Sequence, residues 1–223
     1  MKKYLSVLQK CGLFAGIDDE QMLTMLSCLG ASVRTYKKNQ VILAEGDAAD
    51  RIGVVLLGGV QIVRVDYYGN RSILTELQPG QMFGESFACA DVSEIPVNVV
   101  ATESSEVLLI EAKRILHICS SVCGFHNRLI YNLMKLVATK NLVFNQKLEI
   151  ISKRTTREKL MTYLVLQAKQ QGNNCFTVLF DRQELADYLE VDRSGLSSEI
   201  SKLRKEGILE CKKNRFTLLR QDN

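Results

Sequence analysis

No stretch of this chain leaves fewer structural options open than residues 125–151, FHNRLIYNLMKLVATKNLVFNQKLEII. Ile130, Val137, Phe144 and Ile151 recur every seven residues, Leu129, Leu136, Val143 and Ile150 run beside them, and Leu133 falls between. A seven-residue repeat is two helical turns, so it marks a seam along one side of a long α-helix. The apolar stripe is wider than a simple seam. One part, Ile130, Leu133, Val137, Phe144 and Ile151, is expected to meet the same helix of a second subunit, and the flank to pack on the chain's own β region. The alternative is a helix buried in a monomer; the regular seven-spacing, with Lys140 and Lys147 interrupting the intermediate positions, is one ground for expecting a parallel dimer.

From about residue 31 to 112 the texture is different. Short β-rich runs at 41–43, 53–57, 60–65, 72–77, 97–101 and 107–110 alternate with turn signals such as Glu45-Gly46-Asp47, Gly58-Gly59, Tyr68-Gly69-Asn70 and Gln78-Pro79-Gly80. Strands this short at near-regular intervals predict an antiparallel sandwich or barrel. Gly58-Gly59 and Gly69-Asn70 are expected to make hairpin turns with positive φ at both residues. Residues 80–87 read as a compact turn in which Gly84 precedes Glu85. Backbone N–H groups after a glycine can cradle an anion and a carboxylate can hold hydroxyls, although a Gly-Glu pair is more often a plain turn. Residues 4–30 form a helical lead-in, with Asp18 placed to cap a helix and Gln21 three residues on.

Past the long helix, 152–157 is polar and basic, a hinge in which Thr155 or Thr156 can cap the next helix. A helix from 156 to 168 and a strand from 176 to 180 lead into RQELADYLEVDRSGLSSEISKLRKEGIL at 182–209. Asp181 and Glu184 have capping-box spacing, and Leu185, Ala186 and Leu189 give the first helix an apolar face. After a turn at Glu190-Val191, Asp192 caps a second helix with Leu196, Ile200 and Leu203 inward. Arg193, Ser194, Ser197, Ser198 and Lys202 face outward, groups able to approach phosphates and base edges. This is the pattern of a helix-turn-helix. A hairpin follows in which Lys212, Lys213 and Arg215 could touch phosphate. The alternative is a solvated helix pair in an ordinary helical domain.

Composition narrows the function classes. With 223 residues and 46% hydrophobic content the chain can bury a core, and its net charge of +4 permits a nucleic-acid partner without requiring one. The basic residues crowd the C-terminal end. No apolar run is long enough to span a bilayer, and Gln9 and Lys10 interrupt the first apolar segment too early for a signal peptide. Seven cysteines, an odd number without a disulfide spacing, fit a reducing compartment, so a cytoplasmic protein is expected. Both histidines lie with two cysteines in a short cluster, His117, Cys119, Cys123 and His126. Such ligands could serve a metal, haem or thiol-redox sensor, against buried cysteines and surface histidines as the plain alternative. No catalytic triad is present, and a cupin-like metalloenzyme would need histidines on the β runs, where there are none; the chain is not expected to be an enzyme.

Glu45-Gly46-Asp47, Pro79-Gly80, Phe83-Gly84-Glu85, Arg182-Gln183-Glu184-Leu185-Ala186 and Asp192-Arg193-Ser194, in that order, resemble the cyclic-AMP receptor protein / fumarate-nitrate reductase regulator family of bacterial transcription factors over nearly the whole chain. The resemblance implies an α+β protein. It would have an N-terminal β-roll (a cyclic-nucleotide-binding-like double-stranded β-helix) with helical lead-in over 1–124, a dimerisation helix over 125–151 and a hinge over 152–157. A winged helix-turn-helix would occupy 158–223. It implies double-stranded DNA, a second copy of the chain, RNA polymerase and a small-molecule effector as partners, with no membrane and no resident metal. The resemblance is thus the other ground for expecting a parallel dimer. Arg182 and Gln183 would lie near phosphates and Arg193 would read a base, with Ser198 where the family often has a second arginine. The effector site would draw on Gly84, Glu85, Ser86, Ile95, Pro96, Val97, Leu136 and Lys140. Cyclic-nucleotide members place an Arg-Ser pair on the phosphate where this chain has Ile95 and Pro96, and polar helix contacts where it has Leu142 and Val143. An effector other than cyclic AMP is therefore expected. The N-terminal cysteine cluster of the iron–sulfur members is absent, Cys11 and Cys28 being too few. A cyclic-nucleotide-binding regulatory protein is the alternative.

Overall fold

The computed structural model describes residues 1–116 and 124–219. They fall into two compact units, Met1–Asn70 with Leu74–Asn141, and Arg71–Ile73 with Leu142–Asn223.

The first unit opens with α1 (Leu5–Leu8) and α2 (Asp19–Cys28). Asp18 caps α2 by accepting from the Gln21 amide at 2.8 Å. Eight strands follow: β1 (Ser32–Tyr36), β2 (Val41–Leu43), β3 (Arg51–Leu57), β4 (Val60–Val65), β5 (Arg71–Leu77), β6 (Met82–Phe83), β7 (Asn98–Ala101) and β8 (Ser105–Glu111). They form two four-stranded sheets, β1-β8-β3-β6 and β2-β7-β4-β5. Between the sheets lie Tyr36, Val55, Phe83, Val107 and Leu109 from one, and Leu43, Val60, Val99 and Ala101 from the other. The first sheet is also covered on its back. Ile52, Val54, Leu56, Leu108 and Ile110, alternating with the residues of the inner face, pack with Leu8, Phe14, Met22 and Leu26. Two buried faces explain why β3 reads as a continuous apolar run instead of an alternating one. Gly53 is required there, because a Cβ would lie 2.1 Å from the Phe83 ring.

Two strands were not legible in the sequence. β1, SVRTY, is largely exposed and lies at a sheet edge, where polar residues cost little. β6 has only two residues. The expected turn at 80–87 opens instead into a short helix, α3 (Glu85–Cys89). At the hairpins, Gly58 and Gly69 take positive φ, whereas Gly59 and Asn70 do not, which corrects the expectation of two such residues per turn.

After α4 (Ala112–Leu116) comes α5 (Gly124–Ile151), one unbroken helix. Its residues through Asn141 belong to the first unit and those from Leu142 to the second. The second unit continues with α6 (Thr156–Gln171), β9 (Cys175–Thr177), α7 (Arg182–Leu189), α8 (Arg193–Lys205), β10 (Leu209–Lys212) and β11 (Arg215–Leu218). Thr155 and Glu158 form a capping box on α6, and Asp181 and Glu184 form one on α7. Glu190 ends α7 in the left-handed region at φ +53°. Asp192 caps α8 through the Gly195 amide at 2.9 Å. Three antiparallel strands in the order β10-β11-β9 complete the unit, a helix pair with a wing.

Candidate nucleic-acid interface and effector site

The helix pair buries what its spacing said it would. Leu185, Ala186 and Leu189 of α7 and Leu196, Ile200 and Leu203 of α8 are inside. This leaves Arg193, Ser194, Ser197, Ser198 and Lys202 exposed along α8. Arg157 of α6 holds the helix from behind, with Nη2 2.6 Å from Glu206 and Nη1 3.5 Å from Glu199. Lys202 lies 3.3 Å from Glu199, so part of its charge is spent within the helix. Neither Arg157 nor Glu199 was singled out from the sequence, since their pairing spans more than forty residues and no local pattern announces it.

The other expected DNA contacts are differently placed. Arg182 is turned into its own unit: Nη2 donates to Cys211 Sγ and to the Lys213 carbonyl, each at 3.3 Å, and the guanidinium lies 5.7 Å from the Phe216 ring centre. Its Nη1 is buried without a partner. Gln183 donates to Asp187 at 2.8 Å along α7. Lys212, Lys213 and Arg215 are exposed at the tip of the β10–β11 hairpin. Arg215 Nε lies 3.3 Å from Cys175 Sγ. The Thr217 hydroxyl and then Arg215 hold the Cys175 thiol below its ordinary value.

In the first unit, Gly84 takes φ +82°, and a Cβ there would lie 2.6 Å from the Arg51 carbonyl. It turns the chain so that Glu85, 2% exposed, points inward. Glu85 Oε1 is 2.8 Å from Lys140 Nζ and accepts from the Ser86 hydroxyl at 3.2 Å. Oε2 is buried with no partner. Lys140 also donates to the Met82 carbonyl. Burial pushes the nearby Cys11 thiol up to about 11, with Lys140 pulling it down and Glu85 pushing it up. Thus Gly84, Glu85, Ser86 and Lys140 come together. Ile95 and Val97 are buried in the core between the sheets, and Pro96 is exposed. Leu136 packs on the lead-in, 3.0 Å from where a Cβ of Gly12 would stand.

Along α5, Leu129 and Leu133 are 0% and 3% exposed and lie in the core of the first unit. Leu133 is therefore packed within its own chain. Ile130, Val137 and Ile151 are half-buried and Phe144 is exposed. Met134 and Leu148, missed in the sequence, are exposed four residues after Ile130 and Phe144 and extend the outward stripe. His117, Cys119 and Cys123 lie outside the described residues. His126 is buried and its Nε2–H donates to the Ile115 carbonyl at 2.7 Å, a bond that ties α5 to α4. Among the described residues no three His, Cys, Asp or Glu side chains converge as a metal-binding group, and no helix is long and apolar enough to cross a membrane.

Residues 33–122 match the sequence model of the cyclic nucleotide-binding domain, and residues 158–222 that of the Crp-like helix-turn-helix domain. The chain is 26% identical over 184 residues to the nitrogen fixation regulation protein FixK of Rhizobium meliloti, covering 79% of this chain and 77% of that one. It is 26% identical over 199 residues to the cyclic AMP receptor protein of Thermus thermophilus, covering 88% and 87%. The chain belongs to the CRP/FNR family of transcription regulators.

As a CRP/FNR protein it shares its fold with FixK2 of Bradyrhizobium japonicum, at TM-score 0.67 and 19% identity, covering 85% of this chain and 93% of that one. It shares it also with the regulator CLP of Xanthomonas campestris, at TM-score 0.74 and 17% identity, covering 91% and 100%. This CRP/FNR chain is a DNA-binding transcription regulator with the family's two domains. In this chain the Glu85 carboxylate pairs with Lys140, and α8 carries Ser194, Gly195, Ser197 and Ser198 after Arg193.

Proposed function

We propose that this CRP/FNR regulator acts as a homodimer on palindromic DNA and responds to a small-molecule effector other than cyclic AMP. The observation that carries the reading is α8, capped at Asp192, anchored by three buried apolar residues and presenting Arg193 with serine hydroxyls outward. Arg193 reads a base edge, while Lys212, Lys213 and Arg215 supply phosphate contacts and salt dependence. Arg182 acts by supporting the wing. The α5 stripe, with Phe144, Leu148 and Met134 exposed, supports pairing of two copies. Such pairing sets two half-sites about 34 Å apart. A site built for a cyclic phosphate needs a cation at 95–96, and a buried phosphate without one is expensive to desolvate. Here those positions hold a core isoleucine and an exposed proline. Residues 152–157 serve as the hinge, and RNA polymerase is the further partner in the cytoplasm.

The test is selection of bound sequences from a random DNA pool, followed by footprinting. The reading predicts one palindrome protected on two successive turns and unchanged by cyclic AMP. Protection of a single half-site, or a large gain in affinity on adding cyclic AMP, would count against it.

A further inference from the structure

Lys140 and Lys147 lie seven residues apart on α5, two turns or ~10 Å along the helix. Each stands where the apolar repeat would accept a leucine, and each ends on a different unit. Lys140 reaches the Glu85 carboxylate and the Met82 carbonyl in the β unit. Lys147 is 5% exposed in the second unit. Its ammonium donates to the Tyr188 carbonyl and sits 3.4 Å from the centre of the Tyr188 ring. Lys159 of α6 donates to the carbonyls of Leu189 and Glu190 at 3.2 Å each. The last carbonyls of α7, which have no partner within their helix and lie at its negative end, are thus held by two ammonium groups.

A buried ammonium costs more than a buried leucine. What it offers in return is direction: bonds to the Tyr188 and Ile73 carbonyls and contact with one ring, where a leucine would only fill space. Lys140 differs from a leucine in the same way, by choosing Glu85. Meanwhile Glu85 keeps Oε2 buried without a donor, so its carboxylate is only half satisfied. A ligand hydroxyl or N–H arriving at Oε2 would share the carboxylate with Lys140 and weaken its hold.

We propose that Lys140 and Lys147 are a matched pair of positioning residues. Lys140 clamps α5 to the effector unit through Glu85, and Lys147 clamps the same helix to the first helix of the DNA-reading pair. A ligand that engages Glu85 changes DNA affinity through the two clamps in series. The inference rests on the reading of this chain as an effector-responsive DNA regulator.

The experiment measures affinity for a site that the wild-type protein selects from random DNA, using full-length Lys140→Met, Lys147→Met, the double variant and the two Lys→Arg variants, with a melting curve for each. Each Met variant is expected to shift affinity at least about fivefold, both in the same direction. The double variant should go no further than the larger single, because clamps in series are not additive. The Arg variants should recover most of the wild-type affinity. Glu85→Gln weakens the first clamp without touching α5, and Tyr188→Leu removes the ring of the second; both should move affinity the same way, and they serve if a Met variant fails to fold. Affinities within about twofold of wild type with only the melting temperature lowered, or fully multiplicative effects in the double variant, would overturn the proposal. A wild-type protein that enriches no sequence would overturn the DNA-regulator reading as well.

Discussion

A buried ammonium where an apolar repeat leads one to expect leucine has a measurable consequence of its own. Burial holds Lys147 at about 8, below its ordinary 10.5, with the Glu190 carboxylate raising it and Lys159 lowering it. The unfolded chain keeps that proton up to the ordinary value. Between about 8 and 10.5 the unfolded state therefore binds more protons, and the contribution of Lys147 to stability grows as pH rises through that window. Urea unfolding from pH 7.5 to 10 should show the wild-type protein gaining on Lys147→Met as pH rises. A constant difference would mean that the ammonium is solvated. On the DNA side, Arg193 stands exposed at the start of α8. Arg193→Ala should cost about 1–3 kcal/mol in affinity and relax one operator position, read out by repeating the sequence selection with the variant.

The capping boxes decide where the helices of the DNA-reading unit begin. Asp181 accepts from the Glu184 amide at 2.9 Å, and Glu184 reaches back to the Asp181 amide at 2.8 Å. Two otherwise unpaired donors are satisfied reciprocally. Asp181→Ala should lower stability by about 1 kcal/mol, seen as a lower melting temperature, with the base preference of Arg193 unchanged because α8 has its own cap at Asp192. The wing is held differently. Its sheet has only three strands, with Phe216 and Phe176 stacked at 6.4 Å between ring centres, and Arg182 braces the hairpin tip through the Lys213 carbonyl. An arginine used this way is worth more to the shape of the wing than to its charge.

For the whole molecule, the proposed pairing of two copies gives the two sides of α5 different duties, and two substitutions separate them. Leu133 is sealed in the core of its own unit, so Leu133→Ala should cost about 2–5 kcal/mol of stability and leave self-association intact. Phe144 is 55% exposed, so Phe144→Glu should leave folding nearly unaffected and yield a monomer by sedimentation velocity. If Phe144→Glu stays dimeric, the outward stripe is not where two copies meet.

Much was set by the chain alone. Turn residues and caps are local chemistry, so Asp18, Asp181 and Asp192 announced their helices, and short β-rich runs between turn signals marked six of the eight strands that precede α4. The recognition helix was equally plain, because its inner face repeats every three to four residues. What the sequence could not decide was which of several apolar stripes on α5 turns inward. That depends on where the β unit's sheet lies, and it sent Leu133 to the core and left Met134 outside. Nor could it say that Glu85 would meet Lys140 across fifty-five residues, that Arg182 would fold back on the wing, or that Lys147 would end on α7. These are pairings between groups far apart in the chain, and only a completed tertiary fold brings such groups within bonding distance.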